Sequence, residues 1–489
     1  MNTPMSFNIH DVVLMLPEAF LLGAICAILL VDLFLKPTQR AVTHWLSLAA
    51  VLGTIALIVV DAEPAATAFN GMYIHDGVAA VLRIFVLGTT GTVFVYARGY
   101  LQDRGLHIGE FYLLSLFATL GAMVLVSAGS LVTVYLGLEL LTLSTYALVA
   151  INRDSALSSE AAMKYFVLGA LASGMLLYGM SMIYGATGTL DLKQIQVAAT
   201  FAAGDAQQHQ ALLAFGLVFL VVGIGFKFGV APFHMWIPDV YQGAPTAVTL
   251  FIGTTLKIAA FGMAYRLLEG GLSGMVSHWR EMLAVLAVAS LAIGNIVAIA
   301  QTNLKRMLAY STISHMGFLL MGLLNGTPSG YAAAMFYAIA YAITASVAFG
   351  GILLLARSGF EAEEIDDFKG LNQRNPWYAL VMLLAMASLA GVPPLFGFFA
   401  KLLVLKAALD AGMLWVVIVA IVMAIVGAYY YLRVIKVMYF DAAEDKSALA
   451  LPSDLPFRWL LSLNGAALLV LGLFWGPLIA WCYRAFGIT

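Results

Sequence analysis

The sequence predicts an all-α polytopic membrane protein with about fourteen transmembrane helices. Of its 489 residues, 62% are hydrophobic and only 10% are charged, and the mean hydropathy is +0.95. Soluble domains carry about 25% charged residues. The apolar residues occur in runs of about 18–25, the length that a helix needs to span a bilayer. The short alternating segments that are typical of a membrane β-barrel are not visible.

Polar segments and Pro/Gly-rich breaks separate the predicted spans. In chain order the spans are 13–35, 43–61, 77–98, 110–127, 129–151, 160–185, 211–241, 245–268, 281–300, 303–324, 331–356, 376–410, 413–439 and 458–484. The seventh and the twelfth are long, and proline interrupts each of them. We therefore expect two discontinuous helices.

Lysine and arginine residues indicate the orientation, because cytoplasmic loops of membrane proteins are enriched in them. If the N-terminus lies outside, fourteen basic residues fall on the cytoplasmic side: Lys36, Arg40, Arg98, Arg104, Arg153, Lys305, Arg306, Arg357, Lys369, Arg374, Arg433, Lys436, Lys446 and Arg458. The opposite side has four: Lys193, Arg266, Arg280 and Arg484. Both termini are predicted to be periplasmic.

Four charged residues lie near the middle of predicted spans, without an opposite charge nearby in the sequence: Glu139, Lys227, Lys257 and Lys401. A charge at a helix centre costs about 2.5–3.5 kcal/mol on insertion scales. Several such charges in one protein therefore indicate an ion or proton pathway. Burial favours a neutral lysine, whereas a nearby carboxylate favours an ammonium. A Glu–Lys pair whose separation changes can therefore gain or release a proton. The alternatives are a structural ion pair and a lysine that snorkels to the membrane interface.

Other ionisable residues within or beside the spans have less distinct roles. Arg83 and Lys406 lie closer to span ends, where snorkelling or packing explains them. Lys164 follows Glu160 by four residues, so that an ion pair at the membrane edge is an alternative to a proton pathway. His234 and His315 are either proton carriers, because imidazole titrates near neutral pH, or hydrogen-bonded structural residues.

Two matching strings indicate an internal repeat. GVAPF (229–233) and GVPPL (391–395) lie 162 residues apart, each near a central lysine, and Ser-Thr pairs at 144–145 and 311–312 lie 167 apart. An odd number of helices per repeat inverts the second copy. We predict an N-terminal three-helix segment (1–108), two inverted five-helix repeats (109–270 and 279–440), and a short loop with a C-terminal helix (441–489).

Three longer motifs carry a family resemblance. FKFGVAPFHMWIPDVYQGAPT, QTNLKRMLAYSTISHMG and VPPLFGFFAKL resemble the antiporter-like subunits of respiratory complex I, and the resemblance extends over about 10–485. Mrp-type sodium/proton antiporters have the same helical core. The stretch PDVYQGAP favours the complex I branch. The resemblance implies fourteen helices, inverted repeats, and a proton half-channel in each repeat, joined by a central hydrophilic axis.

The family's functional positions fall on residues of this chain. The resemblance implies that the family's proton relay falls on Glu139, Lys227, Lys257 and Lys401. It also places motif positions at Lys164, Lys305, His234 and His315. Lys305 is at the cytoplasmic edge, where it serves proton uptake or structure.

We therefore expect a proton-translocating subunit of an NADH:quinone oxidoreductase in a bacterial inner membrane. No cofactor or metal is expected in this chain; FMN, iron–sulfur clusters and quinone are expected in partner subunits. The expected partners are other membrane-arm subunits, among them a second antiporter-like subunit and small membrane subunits, together with lipid and protons but no nucleic acid. The alternatives are an Mrp-type cation/proton antiporter subunit and a structural spacer of the membrane arm.

Overall fold

The computed structural model describes residues 9–61, 65–106, 108–201, 207–442 and 454–488. Most of them are helical, and one short antiparallel hairpin pairs β1 (Ala66–Ala68) with β2 (Tyr73–His75). The α-helices are α1 (Ile9–Leu14), α2 (Leu16–Phe34), α3 (Ala41–Val60), α4 (Gly77–Asp103), α5 (Gly109–Val126), α6 (Leu131–Val149), α7 (Ala156–Thr187), α8 (Leu192–Phe201), α9 (Gln207–Phe228), α10 (Trp236–Gly243), α11 (Thr246–Leu268), α12 (Val276–Ile299), α13 (Leu304–Leu323), α14 (Pro328–Leu355), α15 (Leu371–Arg374), α16 (Pro376–Ala390), α17 (Phe396–Asp410), α18 (Leu414–Tyr439), α19 (Leu455–Leu473) and α20 (Gly476–Ala485).

The predicted helical membrane architecture is confirmed. Among the described residues, twelve helices are long and apolar enough to cross a membrane. The helix α13 adds a more polar, largely buried crossing of 20 residues, and α16 with α17 fills the predicted span 376–410. Helices thus occupy all fourteen predicted spans.

Both proline-containing spans are discontinuous, as predicted. Residues 229–235 separate α9 from α10, and residues 391–395 separate α16 from α17. Each break begins with a glycine in the left-handed region, Gly229 at φ 71° and Gly391 at φ 88°, which is a common way to end a helix. The prolines that follow have no N–H to donate to the preceding turn. The last carbonyls of α9 and α16 therefore need partners from outside their own helices.

The prediction of one continuous last span at 458–484 is wrong. Two helices, α19 and α20, meet there at Phe474 and Trp475. Pro477, in the first turn of α20, cannot donate to the carbonyl of Leu473, so α19 does not continue. The helix α8 and the β1–β2 hairpin also lie outside the predicted spans.

The predicted repeats each contain five crossings, α5–α7 with α9–α11 and α12–α14 with α16–α18, and the fourth crossing is the broken one in both. Their exact boundaries stay a prediction. Lys446 and most of the predicted loop 441–457 lie outside the described residues.

The centre of the bundle is formed by α11 and α14, which pack on each other. The most apolar 18-residue stretch of α11 is entirely buried, and 94% of the corresponding stretch of α14 is buried. A methyl group added at Gly253 of α11 would lie only 3.3 Å from the ring of Phe349 on α14. Lys257, which is on α11, is therefore held in the most enclosed part of the protein.

Candidate proton pathway

Lys227 lies in the last turn of α9, just before the first break. Its Nζ is buried and has no hydrogen-bond partner among the described residues, and it lies 5.6 Å from the centroid of the Phe226 ring. Lys227 lines a cavity of about 20 Å³ together with Tyr165, Trp236 and apolar side chains. Such a volume accommodates about one water molecule. The donor hydrogens of Lys227 are thus available to a mobile water or a proton acceptor.

Glu139 lies on α6 and is partly buried. Its Oε1 is buried and, like Nζ of Lys227, lacks a hydrogen-bond partner in the part of the chain that the structure describes. Its charge nevertheless acts on Lys227 across the intervening gap. The two groups are therefore electrostatic neighbours that do not form a hydrogen bond in this conformation. A small movement of α6 relative to α9 would change their interaction, because Coulomb energy varies with distance.

Lys257 is fully buried on α11. Its Nζ donates a 2.9 Å hydrogen bond to the carbonyl of Phe228, the last residue of α9, and lies 5.1 Å from the centroid of the Trp236 ring. A cation is favourable at this position because carbonyls at a helix C-terminus carry partial negative charge. Trp236 also lines the cavity of Lys227. Lys227 and Lys257 therefore share one helix break and one aromatic ring.

Lys401 occupies the second break in a similar way. Its Nζ donates to the carbonyls of Leu389 (2.8 Å) and Ala390 (3.0 Å) at the end of α16. A Cβ atom at Gly391 would lie 3.0 Å from Cδ of Lys401, so glycine also leaves room for the lysine. In each half of the protein, a buried lysine thus bonds carbonyls that a helix break has freed.

His315 on α13 connects the second break to a group of hydroxyls. Its Nδ1 lies 2.7 Å from the hydroxyl of Tyr337, and its Nε2 lies 3.1 Å from that of Tyr431, which also pairs with Ser311 at 2.5 Å. The imidazole is close enough to Lys401 for their charges to interact. Because hydroxyls donate and accept hydrogen bonds, this chain can pass a proton along. The sequence did not reveal the tyrosines, since buried and interfacial tyrosines look alike in it.

Three predicted site residues remain, and they have different surroundings. Lys305 is buried near the N-terminus of α13. Lys164 bonds Glu160 and Asp239, both at 2.8 Å, so the predicted i,i+4 pair is confirmed and extended to α10. His234 lies within the first break, and its buried Nδ1 has no hydrogen-bond partner among the described residues.

Of the two predicted explanations for Arg83, snorkelling or packing, the structure excludes snorkelling, because the side chain is buried. Its Nη1 lies 3.0 Å from Oε1 of Glu18 and 2.6 Å from the hydroxyl of Tyr73, and the side chains of Arg83 and Glu18 are fully buried. The partners are 65 residues apart in sequence, so span position alone did not reveal the pair. Lys406, in contrast, is exposed on α17, as snorkelling requires.

The Glu18→Ala variant should destabilise the protein strongly. Removal of one partner leaves Arg83 buried and unpaired, which costs about 3–5 kcal/mol. Thermal unfolding in detergent measures the loss, and Lys406→Ala, at an exposed site, should stay within about 0.5 kcal/mol of the parent. Equal unfolding temperatures for the two variants would contradict a structural role of the ion pair.

No three His, Cys, Asp or Glu side chains of the described residues are grouped so that they could hold a metal ion. Cys26 is exposed on α2 and Cys482 is buried on α20.

Comparison with known proteins adds independent information to this geometry. Residues 128–427 match the family described as "NADH:quinone oxidoreductase/Mrp antiporter, TM". NADH-quinone oxidoreductase subunit N of Thioalkalivibrio sulfidiphilus is 54% identical over 478 residues, covering 97% of this chain and 98% of the relative. The protein of the same name from Nitrosomonas europaea is 52% identical, with coverage of 96% and 97%.

Solved structures have the same fold. A chain of respiratory complex I from Thermus thermophilus with bound aureothin superposes with a TM-score of 0.80 at 34% identity, covering 95% of this chain and 98% of that one. A chain of the Mrp complex from a Dietzia species gives a TM-score of 0.79 at 22% identity, with coverage of 98% and 97%. At that identity, the second likeness shows the fold alone.

Proposed function

Since this chain belongs to the NADH:quinone oxidoreductase/Mrp antiporter family, and within it to the subunit N proteins, we propose that it moves protons across the membrane as part of an NADH:quinone oxidoreductase. NADH oxidation and quinone reduction take place in partner subunits, which hold the FMN, the iron–sulfur clusters and the quinone. The partners are membrane-arm subunits, including a second antiporter-like subunit and small membrane subunits. The membrane is a bacterial inner membrane, with both termini periplasmic.

The observation that carries this proposal is the placement of lysines at the two helix breaks. Lys257 and Lys401 bond freed carbonyls, and Lys227 has a buried ammonium with no hydrogen-bond partner among the described residues. Ionisable groups are expensive inside a membrane and typically mark ion or proton pathways. A structural spacer would not need them, which argues against that alternative.

The proposed mechanism is electrostatic. A disturbance that arrives along the membrane arm changes the distance between Glu139 and Lys227. When Glu139 comes closer, it favours the protonated form of Lys227; when it retreats, Lys227 releases its proton toward Lys257. The proton then continues toward Lys401 through water and the hydroxyls around His315. No bond other than those to the transferred proton forms or breaks.

The Glu139→Gln variant tests the electrostatic step. It keeps the shape of the side chain and removes the charge, so we expect NADH-driven proton pumping by the reconstituted complex to fall about tenfold, the effect of about 1.4 kcal/mol on a barrier. Glu160→Gln is the matched control: Glu160 is exposed on the neighbouring helix, and Lys164 keeps its contact with Asp239. Normal pumping by Glu139→Gln would contradict the proposal.

Sodium dependence separates this function from that of a cation/proton antiporter subunit. A proton relay built from lysines should pump at the same rate with or without sodium in the buffer. Pumping that requires sodium would favour the antiporter alternative.

A further inference from the structure

A polar cavity of about 110 Å³ opens at the ends of several helices, on the side of the protein that the basic loop residues predict to be cytoplasmic. The ends of α4, α7, α10, α11 and α13 surround it, together with the loop 361–365. Its ionisable side chains are Tyr100, Arg104, Lys305, Glu361 and Glu363. One water needs about 10–15 Å³, so the cavity has room for several.

Lys305 lines this cavity. Its side chain is buried, and its Nζ donates a 2.8 Å hydrogen bond to the carbonyl of Ala244, where α10 ends. The carboxylate of Glu363 lies 3.9 Å from the same Nζ. The partly exposed carboxylate of Glu363 and the buried amine of Lys305 are therefore separated by little more than the length of a hydrogen bond.

The backbone holds Glu363 in place. The carbonyl of Glu363 accepts from the N–H of Leu304, and the N–H of Ile365 donates to the carbonyl of Thr302 at 2.9 Å. The loop is thus paired with the start of α13 through main-chain atoms. The carboxylate of Glu363 is not needed for this pairing, so its side chain can interact with Lys305 while the backbone holds the loop.

The second carboxylate connects the cavity to the central helix. Glu361 accepts from Nε of Arg104 at 2.6 Å and from the hydroxyl of Tyr100 at 3.0 Å. The same hydroxyl accepts a 3.1 Å hydrogen bond from the N–H of Thr246, the first residue of α11. Lys257 lies further along that helix.

We propose that this cavity is the site of proton uptake from the side of the basic loops, with Glu363 collecting protons and Lys305 receiving them. The inference rests on the proposed function. A proton moves from water to the Glu363 carboxylate and then to the neutral amine of Lys305, so no other reactant is needed. Thr312 lies two turns further along α13, and its hydroxyl is 2.7 Å from that of Tyr341. From there the proton joins the proposed relay at the hydroxyls around His315, between Lys257 and Lys401.

The two acids have a physical advantage at this position. Both carboxylates are partly exposed and can therefore exchange protons with water, and a positioned carboxylate typically speeds a proton transfer by about 10²–10⁴-fold. Loss of the collecting carboxylate should therefore matter most when protons are scarce, at high pH on the uptake side.

The test compares Glu363→Gln with Asp366→Asn in the complete complex reconstituted in liposomes. Asp366 is an exposed residue of the same loop region and pairs with Lys369, so its variant controls for loss of charge at this surface. We expect Glu363→Gln to pump about tenfold more slowly at high pH, below the usual effect of removing a positioned proton-transfer group, with a smaller deficit at low pH. Glu363→Asp, which restores a carboxylate, should recover most of the rate, whereas a role in folding would not produce this pH dependence.

A Lys227→Met complex separates the failure of this inference from the failure of the proposed function. If Lys227→Met is defective and Glu363→Gln pumps normally at all pH values, the uptake site is refuted while the relay stands. If both pump normally, the proposed function itself is refuted. Should Glu363→Gln not assemble, Glu361→Gln removes the other acid of the cavity and is expected to show the same deficit at high pH.

Discussion

The Lys227→Met variant should lose proton pumping without losing stability. Its ammonium has no hydrogen-bond partner among the described residues, so methionine of similar volume removes a buried charge without breaking a hydrogen bond. On insertion scales, a lysine at a helix centre costs about 2.5–3.5 kcal/mol, so the variant should unfold at the same or a higher temperature. Coupled turnover should fall by about tenfold to 10²-fold, at the low end of the effect of removing a positioned proton-transfer group.

The control for Lys227→Met is Lys406→Met, at an exposed position on α17. It makes the same chemical change outside the proposed pathway, so its turnover and unfolding temperature should match the parent. NADH oxidation with an artificial electron acceptor shows whether the partner subunits are intact in both complexes. Destabilisation by Lys227→Met would mean that the lysine has a structural role.

The Lys401→Met variant should lose both activity and stability. Here the ammonium bonds the carbonyls of Leu389 and Ala390, and its removal leaves them unpaired at a cost of about 1–3 kcal/mol. Coupled turnover should also fall by about tenfold to 10²-fold if Lys401 carries protons. The unfolding temperature and the coupled rate are the two measurements.

The Lys401→Arg variant separates the two effects. Its guanidinium can bond the same carbonyls but stays protonated at physiological pH, so it cannot release a proton. We expect near-normal stability and low turnover. Near-normal turnover with arginine would show that position 401 needs only a fixed positive charge.

Much of the architecture could be predicted because a membrane imposes simple length and polarity rules on helices. The fourteen spans and both broken helices follow from apolar runs and from prolines such as Pro232 and Pro394. The division of the last span was missed, because Pro477 lies beside an apolar segment long enough to read as one helix. Pro477 ends α19 because it cannot donate a hydrogen bond to the carbonyl of Leu473. A hydropathy profile contains no information on backbone hydrogen bonds.

The candidate site was only partly predictable. Lys227, Lys257 and Lys401 were identifiable because each is an isolated charge in an apolar span. The pairing of Arg83 with Glu18, and of Lys305 with Glu363, depends on contacts between residues distant in sequence. The same holds for the hydroxyls around His315, since their role follows from hydrogen bonds made across helices.

The number of protons translocated per NADH oxidised by the Lys227→Met complex tests the central claim most directly. Reconstituted liposomes with a pH indicator on one side and an NADH assay on the other give both quantities in one experiment. If protons cross through this chain, the residual NADH oxidation of the variant should move fewer protons per NADH than that of the parent. The same number of protons per NADH in both complexes would contradict a proton pathway through Lys227.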